Sequence, residues 1–258
     1  MSEELLIEKD GPVARVTINR PAHRNALNGE VVLGLSKAFD VLDADDAVRV
    51  IVLTGAGDKA FCAGADLGLN PSAGFLALHE GRGAYAALLQ KVQKCGKPVV
   101  ARVNGHALGG GLGLACACDI VVATDEATFG TPEIKLGLFP MMIMTLLVRH
   151  VPRKKLLEMM LTGQRLSGDE VVKLGLANYV VPPVGLDEKV GEIVDALASK
   201  SSAVLKLGKQ AFYAMEDMPL EQALNYLHSM ITINSMAEDA MEGVIAFMEK
   251  RDPEWKDR

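Results

Sequence analysis

Asn104-Gly105-His106-Ala107-Leu108-Gly109-Gly110-Gly111-Leu112-Gly113-Leu114 reads as a strand-to-helix turn made largely of small residues. It follows the strand-like Pro98-Val99-Val100-Ala101-Arg102-Val103 and leads into an apolar, helix-like stretch. Glycines at such a junction let the backbone take positive φ and let a ligand approach it closely, while the first helical turn carries amides without internal acceptors. Amides of that kind, aimed at developing negative charge, form an oxyanion hole. The spacing does not suit a phosphate cradle. It lacks the Gly-Lys-Ser/Thr ending of a P-loop, and no βαβ unit with a ribose-reading acid follows at the expected distance.

A second small-residue run, Thr54-Gly55-Ala56-Gly57-Asp58-Lys59-Ala60-Phe61-Cys62-Ala63-Gly64-Ala65-Asp66-Leu67, follows the strand-like Val50-Ile51-Val52-Leu53. Two such loops can each contribute one amide. Downstream, Thr128-Phe129-Gly130-Thr131-Pro132-Glu133-Ile134-Lys135-Leu136-Gly137 sets one carboxylate beside a proline and between apolar residues. Those surroundings favour an acid/base role. Taken alone, Glu133 also reads as a first-turn acid answering a helix dipole.

Together these segments resemble the crotonase superfamily, also called the enoyl-CoA hydratase/isomerase family. The resemblance runs from Ile18-Asn19-Arg20-Pro21 and Arg24-Asn25-Ala26-Leu27-Asn28 through Phe61 to Asp66, Asn104 to Gly113 and Pro132-Glu133, ending at Phe247-Met248-Glu249-Lys250-Arg251. It implies an α/β fold, a spiral of repeated ββα units over residues 1–186 that carries an acyl-CoA site. A C-terminal helical region over 187–258 would serve subunit contacts in a homotrimer or hexamer. The substrate would be a coenzyme A thioester, with no permanently bound cofactor.

Residue by residue, the resemblance assigns the amides of Ala65 and Gly110 to the thioester oxygen and Glu133 to proton transfer. Arg24, Ala63, Asp66, Leu67 and Gly68 would line the path of the coenzyme, and Phe247 and Lys250 would complete its site across an interface. Gly68 stands where some relatives carry lysine. Two preorganised amides could stabilise an oxyanion by roughly 3 kcal/mol each.

One departure divides the chemistry. Gly113 stands where the well-known hydratases have a second glutamate, and those enzymes hold the attacking water with two carboxylates. Moving a double bond from the 3,4 to the 2,3 position needs only one base to take an α-proton and return it at the γ-carbon. Family isomerases retain only the acid matched by Glu133. Hydration and isomerisation of an enoyl-CoA both remain expectations; decarboxylation, retro-aldol cleavage and thioester hydrolysis occur on the same scaffold. The alternative of another class is a noncatalytic acyl-CoA-binding or assembly protein. Glu80, beside His79 on a helix-like stretch, is the candidate substitute for the second acid, against its reading as part of a solvated helix face.

Other residues read as structural. His106, inside the glycine run, could touch substrate but reads first as a packed loop residue. Cys62, Cys95, Cys116 and Cys118 lack zinc spacing and read as buried, reduced thiols, so no metal site is expected. The 258 residues, 49% of them hydrophobic, suffice for a large core, and a net charge of -6 argues against nucleic-acid binding. The acidic start Met1-Ser2-Glu3-Glu4 does not resemble an export signal, and Leu136 to Val148 is too short to span a bilayer, which points to a cytoplasmic protein without membrane contact. Met141, Met142 and Met144 in that stretch suit an adaptable acyl pocket or a subunit contact.

Strands are expected at Val13 to Asn19, Val50 to Leu53, Val99 to Val103, Ile120 to Ala123 and Tyr179 to Val181. Helices are expected at Val31 to Leu42, Ala84 to Lys94, Gly110 to Ala117 and Thr145 to Leu161, with amphipathic segments at Ser202 to Met215 and Leu220 to Met236. Pro182-Pro183-Val184-Gly185 reads as a hinge.

Overall fold

The computed structural model of the protein describes residues 3–66, 68 and 74–258; Leu67 and the loop residues 69–73 lie outside them. In chain order the first elements are β1 (Leu5–Asp10), β2 (Val13–Ile18), α1 (Gly29–Asp43), β3 (Val50–Gly55), β4 (Ala60–Cys62) and α2 (Phe75–Lys94). There follow β5 (Val99–Val103), β6 (His106–Leu108), α3 (Gly110–Ala117), β7 (Ile120–Thr124) and β8 (Phe129–Gly130). After them come α4 (Met144–His150), α5 (Arg153–Thr162), β9 (Arg165–Leu166), α6 (Gly168–Lys173) and β10 (Tyr179–Val181). The chain closes with α7 (Leu186–Ala198), α8 (Ser202–Met215), α9 (Leu220–Ser235) and α10 (Glu238–Glu249).

A six-stranded sheet has the order β1-β2-β3-β5-β7-β10, antiparallel at β1-β2 and parallel beyond. A four-stranded sheet has the order β4-β6-β8-β9, parallel except where β9 joins. Successive windings, β3-β4-α2 and β5-β6-α3, each give one strand to either sheet and then a helix. That repetition is the ββα spiral.

The central strands explain why short apolar runs dominate the sequence. All six residues of β3 are buried. Ile51 and Leu53 join the main core with α1, α2 and α3, whereas Val50 and Val52 meet Val190 and Val194 of α7 on the opposite face. A parallel sheet covered on both sides needs apolar residues at every position rather than at alternate ones. The helical region after residue 187 therefore includes, in α7, a layer that seals the large sheet.

Two helix boundaries depart from the sequence expectation. Thr145 to Leu161 is two helices, because Val151 is extended (φ -97°, ψ 130°) before Pro152, which cannot supply an amide to a continuing helix. In addition, α2 begins nine residues earlier than expected, at Phe75, and Phe75 to Gly83 are exposed. A segment with no buried face has no apolar period to read. Residues Pro183–Gly185 form a short 3-10 turn leading into α7.

Farther on, α8 is held against the core by ions. Lys209 reaches Asp119 at 2.7 Å and the Lys97 carbonyl at 2.9 Å, and the Tyr213 hydroxyl donates to Asp119 at 2.9 Å. The C-terminal tail returns to the body through Arg49 and Asp257. No helix among the described residues is long and apolar enough to cross a membrane.

Candidate functional site

Buried asparagines fix the two small-residue loops. Asn25 donates to the carbonyls of Ala56 and Ala60, and Asn104 donates to Gly57 O while accepting from Gly55 N. Each such bond contributes roughly 1 kcal/mol net, and losing one would strand a buried polar group at greater cost. Arg20 clamps the neighbouring segment, contacting Glu4, the Ala26 carbonyl and Asp66 at 2.7 to 2.8 Å.

The segment carrying Ala65 is bridged to Leu27: Leu27 N donates to Gly64 O, and Asp66 N donates to Leu27 O. The alternation of a β-bridge turns the intervening Ala65 amide the other way, and it finds no acceptor among the described residues. Gly64 takes φ +97°, and a Cβ there would lie 2.9 Å from Leu108 O and 3.3 Å from Gly110 N. That close approach joins the two loops. Gly110 opens α3, so its amide has no turn behind it to bond.

Glu133 stands in the first turn of the 3-10 helix Pro132–Leu136. Its side chain passes so near Gly109 (φ +52°) that a Cβ there would be 2.8 Å from Oε1. Glu133 Oε2 is buried without a hydrogen-bond partner among the described residues. Burial raises its pKa above the ordinary carboxylate value, partly offset by a backbone hydrogen bond. A native protein rarely leaves a buried carboxylate oxygen unsatisfied, and such groups concentrate where chemistry occurs.

What fills the space beside Gly113 is apolar on one side and phenolic on the other. A Cβ at position 113 would collide with Ile143 Cγ2 and lie 2.7 Å from the Tyr85 hydroxyl. None of the three atoms nearest that position belongs to an acid. Glu80 lies exposed on α2, in the solvent-facing half of the same helix that carries Tyr85. Neither Tyr85 nor Ile143 stands out in the sequence, since neither belongs to a motif and both reach Gly113 only through the fold.

The other residues singled out from sequence divide. Asp66 is engaged: it accepts from the Gly68 amide at 3.0 Å and pairs with Arg20, and both hold its pKa below the usual value. Ala63 N donates to Arg24 O. The Arg24 side chain lines a cavity of about 320 Å³ together with Asp58, Lys59, His106, Glu126 and Arg165. There His106 is held below its ordinary pKa by burial, then by Arg165 and Arg24, and its Nδ1 faces Thr128. Lys59, inside the second small-residue run, and Arg165, on the distant strand β9, were not candidates from sequence.

Phe247, 84% exposed, lies in the last turn of α10, which packs on α8 and α9, and Lys250 caps that helix. Met141 is exposed, while Met142 and Met144 pack half-buried against the core. All four cysteines are free and buried. Among the described residues no cluster of three or more His, Cys, Asp or Glu is placed to hold a metal ion.

The sequence matches the family model described as "Enoyl-CoA hydratase/isomerase" over residues 8–258. A carnitinyl-CoA dehydratase of Salmonella heidelberg is 36% identical, with 100% of each chain covered. An enoyl-CoA hydratase of Mycobacterium smegmatis superposes with a TM-score of 0.95 at 36% identity, covering 98% of this chain and 99% of that one. An enoyl-CoA hydratase of Bacillus anthracis gives 0.94 at 30% identity, with 99% and 100% covered.

Proposed function

The chain belongs to the enoyl-CoA hydratase/isomerase family of enzymes, and we propose that within it the protein isomerises a 3-enoyl-CoA to the 2-enoyl-CoA through one carboxylate. The observation that carries this reading is the pairing of a lone, unpartnered Glu133 with a Gly113 position walled by Ile143 and Tyr85. The Ala65 and Gly110 amides bind the thioester oxygen. Glu133 takes the proton from C2, the negative charge spreads onto that oxygen, and the same acid returns the proton to C4. The double bond moves from C3-C4 to C2-C3, and nothing is added or lost. A raised pKa suits this work, since a base that must also give back its proton does best near the pH of operation.

The cations Arg24, Lys59 and Arg165 around their shared cavity offer charge for the phosphates of the coenzyme. The exposed apolar residues Leu220, Met236, Phe247 and Met248 give the C-terminal helices a surface for a homotrimer or hexamer. A cytoplasmic location accords with the free thiols.

A second reading rests on the relatives, which are described as a dehydratase and as hydratases. In it, Glu133 alone both activates water and protonates carbon. Incubating the protein in D2O with a 3-enoyl-CoA and, separately, with crotonyl-CoA decides between them. The proposal expects double-bond migration without hydration of crotonyl-CoA, the C2 hydrogen passing to C4 and deuterium entering there only to the extent that the protonated Glu133 exchanges with solvent before it delivers. Hydration without migration would establish the second reading, and coenzyme binding without turnover of either substrate would point to a noncatalytic protein.

A further inference from the structure

We infer that Tyr85 is a positioning residue for the thioester site, its hydroxyl pinning the first turn of α3 so that the Gly110 amide is aimed before charge develops. The inference deepens the proposed function and rests on it. A glycine-rich turn has few side chains with which to brace itself, and Gly109, which precedes α3, makes no side-chain cap. Glycine also loses more conformational freedom on ordering than any other residue. An oxyanion donor works only if it needs no reorganisation at the moment of reaction. The brace must therefore come from outside the turn.

Tyr85 supplies it from α2. The side chain is 7% exposed and its hydroxyl donates to the Gly110 carbonyl at 2.5 Å. That bond anchors the carbonyl of Gly110, one rotatable residue away from the amide it is inferred to aim. The oxygen also lies 3.4 Å from where a Gly110 Cβ would be and 2.7 Å from where a Gly113 Cβ would be. One phenol thus holds the donor and occupies room that a second acid would need. Burial, with Cys62, Cys116 and Glu133 acting in the same direction, keeps the phenol protonated far into alkali, so the donated hydrogen is permanent.

Tyr85→Phe removes the hydroxyl and keeps the ring. The test compares kcat, KM and the carbonyl stretch of a bound 2-enoyl-CoA labelled with 13C at the thioester carbon. The wild-type protein should lower that stretch relative to free thioester; the variant should lose half or more of the lowering and roughly 10- to 100-fold in kcat, with KM within about threefold. Replacing Tyr85 by 4-aminophenylalanine, which keeps a donor at the para position, should retain most of the lowering and of kcat, and loss of both in that folded variant would also overturn the inference. A Phe variant with full carbonyl lowering and full kcat would overturn the inference, whatever its thermal stability. A wild-type protein that bound the thioester without lowering its stretch would instead overturn the proposed function, and the inference with it.

Discussion

Asp66 and Glu133 both stand at the loops of the candidate site, yet the fold treats the two carboxylates in opposite ways. Asp66 receives the Gly68 amide and the Arg20 guanidinium, and its pKa falls. Glu133 keeps a buried oxygen with no partner among the described residues, and its pKa rises. An acid with both oxygens engaged holds a loop; an acid with a buried, unpartnered oxygen can exchange protons. Environments that push like groups apart in this manner separate the structural acid from the chemical one.

The largest test of that contrast is Glu133→Gln. With the geometry preserved and the proton acceptor removed, kcat/KM should fall by about 10²- to 10⁴-fold on whichever thioester the protein turns over. The acidic limb of the wild-type pH-rate profile should lie above the ordinary glutamate value of 4.5, because the base must be ionised and burial opposes ionisation. Asp66→Asn should leave that limb in place. If the Gln variant kept a tenth of wild-type activity, Glu133 would not be the base.

The next test bears on the wall that leaves Glu133 alone. Gly113→Glu inserts a side chain where Ile143 and the Tyr85 hydroxyl already stand. Overpacking and a poorly solvated charge should destabilise the protein by roughly 3 kcal/mol, read as a lower denaturation midpoint. No hydratase activity should appear, and Ile143→Ala added to the same variant should recover part of the stability. A Gly113→Glu protein as stable as wild type would show that the wall yields, and the one-acid argument would weaken with it.

The features that sequence exposed and those it hid differ physically. The ends of α3, at Gly110 and Ala117, and those of α8, at Ser202 and Met215, agree with the sequence reading because glycine turns and amphipathic periods are local properties. The loops of Ala65 and Gly110 were legible for the same reason. Tyr85 was not, since its partner lies 25 residues onward and only the packing of α2 on α3 brings them together. Ile143 was likewise hidden, inside a methionine-rich stretch that suggested an acyl pocket. Motifs mark where backbone must be unusual, while the shape of the space between them is set by side chains without any motif.

The smallest expected effects are on stability, and they differ in sign. Asp66 has a depressed folded pKa, so its contribution is present above the unfolded value of 3.8 and is lost as pH falls through the folded value. Its side chain is 26% exposed, and solvent screening keeps the contribution near that of a surface pair, about 1 kcal/mol or less. Asp66→Asn should therefore lower the melting temperature at pH 7 by roughly 2 °C. Glu133 has a raised folded pKa, so folding favours its protonated form; that advantage is whole below 4.5 and is lost as pH rises through the folded value. Glu133→Gln, which is permanently neutral, should melt about 2 °C above wild type at pH 7. Both differences should shrink as the solution is acidified below the ordinary carboxylate range. Melting curves that shifted the same way for the two variants at neutral pH would show that the two environments are not opposed, and the division of labour between Asp66 and Glu133 would fail.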